Sequence, residues 1–490
     1  MQVALRPIGL LGLVVIAYAL WPGLFPLDDA YITLHNARVL LSGVPDPLYG
    51  GSPLTGATSA VHLALVALVG LILPLTAAGF FVSAGAAVLY GLGLARLIAN
   101  AGVSGWQRAA LIFVGLFASF LPVQFANGLE TSLAMAAVAW GLALADDRRL
   151  PLLCGASPFI RPELAFLAAP LMLRQLWAVR HDVRAAAAKV GLAIAAALPW
   201  CLWYLIETGL PFPNTAGAKI VFFAQAMFPL GERFEFWSRA LAISLLLPLF
   251  PAAAGLGRVR AGWCGAVFGA TWLLLGLLTL PSSLAFNDAR YLAPLVPVLV
   301  HGLAGLCGST RLGSWYLLAL VPYSLFTGAM GLSRLQVSIF GEPRIWAPAA
   351  DFVRDHVPPG SVVLVHDAGW VAWKEPKVRL VDVVGLKTPE SAKVHARFRS
   401  RDCQWGPALS HIAAANRATH LMVLQQPFWD CVGTNLQEQG WRLTPVFADP
   451  GGFSVFRIAP PSVQARPSAA TWSSASAKRP PHAAVVESRT

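Results

Sequence analysis

Two carboxylates stand side by side in the stretch Leu27-Asp28-Asp29-Ala30-Tyr31-Ile32-Thr33, directly after the apolar run Pro7–Pro26. Adjacent acids at a membrane surface suffer desolvation and mutual repulsion, which raises one pKa and suits a general base. The same pair also suits a helix cap with surface acids, the commoner use of Asp beside a helix. Glu130-Thr131 opens another apolar run. Its acid fits a helix N-terminus, where the dipole favours negative charge, and equally a substrate contact. Arg161-Pro162-Glu163 sets a proline and two charges inside the apolar run 150–173. Proline breaks the hydrogen-bond ladder, and charges at that depth demand a cavity or an exit to water. Arg161 and Glu163 can also pair to brace the break, a structural role placed ahead of catalysis. Asn214 after Pro213 reads first as a turn residue and second as a ligand. Tyr31, Trp237 and Tyr291 are aromatics that stack on sugars and that equally anchor interfaces. There is no His/Cys cluster with metal-ligand spacing, and two adjacent acids are too few to argue a divalent cation, so no metal and no cofactor is expected. No phosphate-binding loop or dinucleotide fingerprint appears, which argues against a nucleotide-sugar enzyme of the cytoplasmic kind.

These residues must be positioned by membrane helices. The 490 residues are 56% hydrophobic and 12% charged, about half the roughly 25% charged share of a soluble domain, and the mean hydropathy is +0.62. A soluble globular enzyme, a disordered chain and a disulfide scaffold are excluded. Residues 1–332 carry 18 Lys/Arg and 12 Asp/Glu, and the last 158 residues carry as many again. The first part is therefore a lipid-soluble body and the last part water-soluble. The net charge of +12 reads not as a nucleic-acid footprint but as basic residues at helix ends, which set topology and touch anionic lipid. A span needs about 20 apolar residues. Runs follow the first one at about 59–73, 79–98, 108–125, 128–145, 150–173, 187–207, 239–257, 261–281, 291–307 and 312–332. One orientation puts every basic cluster of the body inside, provided 59–73 lies along the interface and 150–173 is two half-helices. About eleven crossings result, with the amino terminus inside and the stretches 27–78, 126–129, 161–163, 208–238 and 282–290 as outer loops.

Residues 333–460 alternate short apolar runs with polar turns. Ser361–His366, Val378–Val384 and His420–Leu424 read as buried strands, covered by helices at about 347–356 and 406–416. Trp441–Phe447 and Gly452–Ile458 read as a closing hairpin. Residues 461–490, rich in Ser, Ala and Pro, read as a disordered tail. Cys403 and Cys431 would form a disulfide if this part meets an oxidising compartment, whereas Cys154, Cys201, Cys264 and Cys307 lie in apolar runs as packing residues.

The stretch Asp28-Asp29-Ala30-Tyr31-Ile32-Thr33, with His35, Arg38 and a Gly-rich loop after them, resembles the first outer loop of GT-C membrane glycosyltransferases, closest to the arabinofuranosyltransferase-like and mannosyltransferase-like branch. Asn127-Gly128-Leu129-Glu130-Thr131, Arg161-Pro162-Glu163, Pro211-Phe212-Pro213-Asn214-Thr215 with Lys219, and Arg290-Tyr291-Leu292-Ala293-Pro294-Leu295 agree in order and spacing. Val384-Gly385-Leu386-Lys387-Thr388-Pro389 resembles a stretch of the outer domain in the same group. His35 and the short loop Gly50–Thr58 depart from that pattern and bear on the donor or acceptor pocket. The resemblance implies a polytopic helical GT-C catalytic domain over 1–332 and an extracytoplasmic α/β domain over 333–460, in the inner (plasma) membrane. It implies a polyprenyl-phosphate sugar donor, and inverting transfer of a hexosyl or pentosyl group to a hydroxyl of a cell-envelope glycan, lipid or protein. Asp28 is then the base, and Asp29 orients the acceptor or holds a cation. Arg290 and Lys219 meet the leaving phosphate, Lys219 being one of two lysines in the body and also suited to anchoring its loop. Tyr31, His35, Arg38, Glu130, Arg161, Glu163, Asn214 and Tyr291 line the substrate. A transporter or flippase of lipid-linked saccharides is the alternative, and a non-catalytic membrane scaffold a third. Acids clustered on one face, the large outer domain and the lack of an internal repeat favour the enzyme.

Overall fold

The computed structural model describes residues 18, 21, 23–103, 105–340, 345–401, 403–450 and 452–461. Most of the first apolar run and the tail from residue 462 lie outside the described residues. The chain forms two compact units. One takes the chain up to Pro45, Ser52–Ala216 and Gln225–Gly341; the other takes Asp46–Gly51, Gly217–Ala224 and the chain from Glu342 onward.

The first unit is helical. The stretch 27–78, expected as an outer connection between spans, contains α1 over Asp28–Ser42. Asp28 and Asp29 lie in its first turn, and Gly43 ends it in the left-handed region at φ 68°, a conformation that glycine enters without Cβ strain. Helix α2 (Ala60–Gly70) is N-capped by the Ser59 side chain. Its 11 residues rise only about 16 Å, half of a roughly 30 Å hydrocarbon core. Then come α3 (Leu75–Asn100), α4 (Gly105–Phe117), α5 (Thr131–Ala143), α6 (Leu150–Ala156), α7 (Ala165–Ala178), α8 (Val183–Thr208), α9 (Thr215–Phe223), which belongs to the second unit from Gly217 on, α10 (Leu230–Ile243), α11 (Gly262–Thr279), α12 (Val296–Ser309) and α13 (Arg311–Phe340).

Among the described residues, α3, α8, α11 and residues Arg311–Gln336 of α13 are long and apolar enough to cross a membrane, and two bent pairs bring the number to six. The bends are 94° between Leu230–Ile243 and Leu247–Arg258, and 88° between Pro281–Ala289 and Ala293–Ser309. Pro248 and Pro294 open the halves after the two breaks, and Pro281 opens the half before the second; all three stand at first-turn positions, where a missing N–H costs nothing. Helix α8 exposes Val190, Leu192, Ile194, Leu198, Leu202, Leu205 and Ile206, an apolar surface that lipid covers and water would not. The protein is membrane-embedded.

The break in 150–173 falls where the sequence places it. Arg161 is extended at φ −154°, ψ 135°, between α6 with a 3-10 turn at Ser157–Phe159 and a second 3-10 turn at Pro162–Leu164. A residue before proline is pushed out of the helical region, which frees the Arg161 side chain to turn inward. Elsewhere small residues set close helix approach: a Cβ on Gly255 would collide with the Gly302 carbonyl of α12, as expected where packing replaces the hydrophobic drive between helices.

The second unit is α/β. Its sheet has the order β2-β1-β3-β5-β4, with β1 Val362–Val365, β2 Arg379–Asp382, β3 His420–Leu424, β4 Arg442–Ala448 and β5 Phe453–Ala459. The pairs β1–β2 and β1–β3 are parallel, and β5 is antiparallel to β3 and β4. Helices α14 (Ala347–His356), α15 (Pro389–Phe398), α16 (Gly406–Asn416) and α17 (Asp430–Glu438) belong to it. All three strands, the hairpin and the helices at 347–356 and 406–416 coincide with the sequence expectation to within about two residues. Helices α15 and α17 had no counterpart in it. Cys403 and Cys431 are joined in a disulfide.

Candidate active site

Four elements converge in the helical unit. Asp29 sits on the first turn of α1, Glu130 precedes α5, Arg161 and Glu163 flank the broken helix, and Arg290-Tyr291 lie at the 88° bend. Arg290 is 4% exposed, and its Nη2 lies 3.0 Å from Asp29 Oδ2. The same nitrogen donates to the Tyr291 hydroxyl at 3.1 Å. Arg161 Nε lies 2.5 Å from Glu163 Oε1, and its Nη1 lies 3.5 Å from Glu130 Oε1. Both guanidinium groups stand over the Tyr291 ring, at 4.9 Å for Arg161 and 5.0 Å for Arg290. One chain of contacts thus runs from Asp29 through Arg290, Tyr291 and Arg161 to Glu130 and Glu163. Arg161, Arg290, Glu130 and Glu163 are all buried. Charges so far from water persist when opposite charges face them.

The Asn-Gly-Leu-Glu stretch is the scaffold of this centre. Asn127 Oδ1 accepts from Leu129 N–H at 2.9 Å, and its amide donates to Gln124 Oε1 at 2.8 Å. Gln124 Nε2 in turn donates to the Asn287 and Asp288 carbonyls, both at 3.0 Å. Asn287, Asp288 and Ala289 all have left-handed φ, between 53° and 59°. Three non-glycine residues there store strain that the surroundings must hold, and the Gln124 amide does so immediately before Arg290. Asp288 itself pairs with Arg334 at 2.6 Å.

Open donors remain. Arg290 Nε and Nη1 have no hydrogen-bond partner among the described residues, and neither has His62 Nε2. A guanidinium edge without a partner is a ready site for a phosphate or carboxylate. Among the described residues no group of three or more His, Cys, Asp and Glu could hold a metal ion.

The structure joins six of the sequence-predicted residues: Asp29, Glu130, Arg161, Glu163, Arg290 and Tyr291. Asp28 is half-buried beside Asp29. Tyr31 is fully buried, its hydroxyl accepting from Phe25 N–H at 2.9 Å. His35 is buried on α1, and Arg38 is half-buried one turn on. Asn214 precedes Thr215, whose hydroxyl takes a bond from Thr58 at 3.2 Å. Lys219 lies in Gly217–Ala224 and folds with the α/β unit. There Phe222 stacks on Trp405 at 4.4 Å, and Trp405 Nε1 donates to the Phe222 carbonyl at 3.0 Å. Sequence reasoning did not single out His62, Gln124 or Arg334: His62 and Gln124 are isolated polar residues within apolar runs, and Arg334 lies just beyond the last run, between Ser333 and Gln336.

The α/β unit has a buried charge cluster of its own. Lys387 Nζ lies 2.9 Å from Asp46 Oδ2, and both side chains are wholly inaccessible. Asp46 Oδ1 accepts from Leu48 and Tyr49 N–H, while Leu48 O accepts from Leu380 N–H on β2 at 2.9 Å. Asp382 accepts from Val384 and Lys387 N–H, both at 2.8 Å. Burial pushes the Asp382 carboxyl up to about 6 against these bonds. Burial lowers Lys387, and Asp46 opposes that.

A helical unit with charged residues at its helix breaks, in a chain that also forms an α/β unit, is a fold shared with solved membrane proteins. The crystal structure of ArnT from Cupriavidus metallidurans bound to undecaprenyl phosphate has this fold, with a TM-score of 0.54 at 13% identity over 92% of this chain and 97% of that one. Its apo form gives 0.52 at 14% identity over 92% and 98%. An apo oligosaccharyltransferase from Archaeoglobus fulgidus is more distant, at 0.44 and 13% identity over 88% and 70%. The profile of a family described as a domain of unknown function (DUF8728) matches residues 337–472. No curated protein sequence matches the chain.

Proposed function

We propose that this chain is a membrane glycosyltransferase of the inner (plasma) membrane. It would move a pentosyl or hexosyl group from a polyprenyl phosphate to a cell-envelope hydroxyl on the outer face, with inversion, either independent of metal or only weakly dependent on it. The observation that carries the reading is the partly buried Asp29–Arg290–Tyr291–Arg161–Glu130 chain with its open guanidinium edge, in a fold shared with a protein solved with undecaprenyl phosphate bound. The acceptor oxygen attacks the anomeric carbon from the face opposite the phosphate, and the acceptor proton passes to Asp28. The bond from anomeric carbon to phosphate oxygen breaks, and polyprenyl phosphate leaves with that electron pair. Arg290 offsets the charge that grows on the phosphate. Asp29 holds Arg290 in place and orients the acceptor. Tyr31, His35, Arg38, Glu130, Arg161, Glu163, Asn214, Lys219 and Tyr291 are the proposed substrate-contacting set. The eleven-crossing topology, with the α/β unit extracytoplasmic, belongs to the same proposal.

The broken helices with buried charge also suit a transporter of lipid-linked saccharides. Mass spectrometry of envelope glycans decides between them. A deletion strain should lack one sugar, restored by the wild-type gene and not by Asp28→Asn, since loss of a general base costs roughly 10²–10⁴-fold. Full restoration by Asp28→Asn removes the base assignment. Transfer by purified protein in detergent, where nothing can be transported, removes the transporter.

A further inference from the structure

His62 is a histidine in the first turn of an apolar helix, α2, that is too short to span. Its side chain is 1% exposed, and its Nε2 has no hydrogen-bond partner among the described residues. Two sets of bonds fix its place. Ser59 Oγ accepts from His62 N–H at 3.1 Å and donates to the Phe159 carbonyl at 3.2 Å, two residues before Arg161. On the approach to α2, the Ala57 carbonyl takes the Tyr204 hydroxyl at 2.9 Å, and Thr58 bonds Thr215 at 3.2 Å. The start of α2 is therefore tied to the broken-helix segment that carries Arg161, and also to Tyr204 of α8 and to Thr215. Glu130 lies within electrostatic reach of His62, as it does of Arg161 and Arg290.

A buried imidazole nitrogen left unbonded is costly, and polar side chains at such cost mark sites where a ligand completes the bond. The neighbours choose the ligand. Glu130, a carboxylate acceptor whose charge Arg161 offsets, is the charged neighbour within reach of His62, while the open donors of Arg290 suit the phosphate. A carboxylate acceptor beside an imidazole is the complement of hydroxyl groups, each of which both donates and accepts. We propose that His62 and Glu130 together bind a hydroxyl of the transferred sugar, so that His62 is a specificity-determining residue. This rests on the glycosyltransferase reading.

The test compares two lipids on the purified full-length protein: undecaprenyl phosphate, and polyprenyl phosphate carrying mannose or arabinofuranose. Wild type should bind one sugar-loaded lipid more tightly than the bare lipid. His62→Phe, which keeps a flat ring without polar atoms, should cut that preference roughly 10- to 100-fold, the worth of a bond to a buried polar group. Affinity for bare undecaprenyl phosphate should stay the same. His62→Gln, which keeps a donor and an acceptor, should restore part of the preference. If His62→Phe lowers affinity for both lipids in parallel, or leaves the preference intact, the proposal is overturned. A wild-type protein that prefers neither sugar lipid also overturns it. Wild type that fails to bind even the bare lipid sinks the glycosyltransferase reading itself, which keeps the two failures apart.

Discussion

Arg290 divides its guanidinium between two tasks. Nη2 is used by Asp29 and Tyr291, while Nε and Nη1 face no partner among the described residues. Asp29 is thereby engaged by a buried cation, and the proposed mechanism gives proton removal to Asp28. Arg290→Ala should raise the donor KM and slow transfer. It also strips Asp29 of its counter-charge, so thermal unfolding of the variant should be followed in parallel. Arg290→Lys should recover only part of the activity, because a point charge replaces a bidentate fork. Normal kinetics for Arg290→Ala at limiting donor would place the phosphate elsewhere, with Lys219 next in line. Asp28 and Asp29 lie in the first turn of α1, where Leu27 and not an Asp is the N-cap, and Asp29 reaches the charge centre. Glu163 and Arg161 pair as their spacing suggests, yet Arg161 also turns to Glu130, more than thirty positions earlier in the chain.

Helix breaks and inserted segments do the positioning. The proline at 162 forces Arg161 out of the helix, and that was legible, since the constraint is local to two residues. The insertion of Asp46–Gly51 into the α/β unit was not, because nothing in a Gly-rich loop encodes the β2 edge that it meets. Lys387→Met should show what holds this insertion. It leaves the Asp46 carboxylate inaccessible without its cation, a loss of about 3–5 kcal/mol in systems of this kind. The double change Asp46→Asn with Lys387→Met should be milder than Lys387→Met alone, since no charge is then stranded. Denaturant unfolding of the purified chain measures both, and equal losses would mean that the pair does not couple. His395 supplies a pH test on α15. Its Nε2 donates to the Val383 carbonyl at 2.9 Å, and Nδ1 accepts from the Ser400 hydroxyl at 2.8 Å. Burial pushes it down to about 4 from 6.5. A depressed folded pKa means that its stabilisation is present above pH 6.5 and drains away as pH falls through 4, by about 3 kcal/mol in all. Asp382, raised to about 6 from 3.8, acts oppositely: its contribution is full below 3.8 and lost as pH rises through 6. The wild type alone therefore shows a muted slope. The stability difference between wild type and His395→Gln should shrink between pH 6.5 and 4, and a constant difference would contradict the assignment.

For the chain as a whole, the prediction is topological. Single cysteines at residues 99–107, 146–149 and 175–186 should be labelled only from the cytoplasmic side. Those at 215–230 and 345–460 should be labelled from outside. An external 99–107 would mean that α2 crosses after all, although its length argues against that. The class of architecture could be read from composition and run length alone, because water and hydrocarbon sort residues by chemistry wherever they stand in the chain. The strands of the α/β unit could be read for a related reason: β3 is a continuous apolar run between polar turns, and a buried parallel strand needs nothing else. Helix α1 hid because its pattern is mixed, and it is held by burial of Tyr31, Leu34 and His35 rather than by a clean apolar stripe. The charge centre belongs to the tertiary structure. Motifs at 29, 130, 161 and 290 each had a local explanation, and only folding brings them within 3–4 Å of one another's charges. His62 and Gln124 are the clearest cases. One polar residue in an apolar run carries no period and no spacing, so its meaning comes entirely from what long-range packing sets beside it.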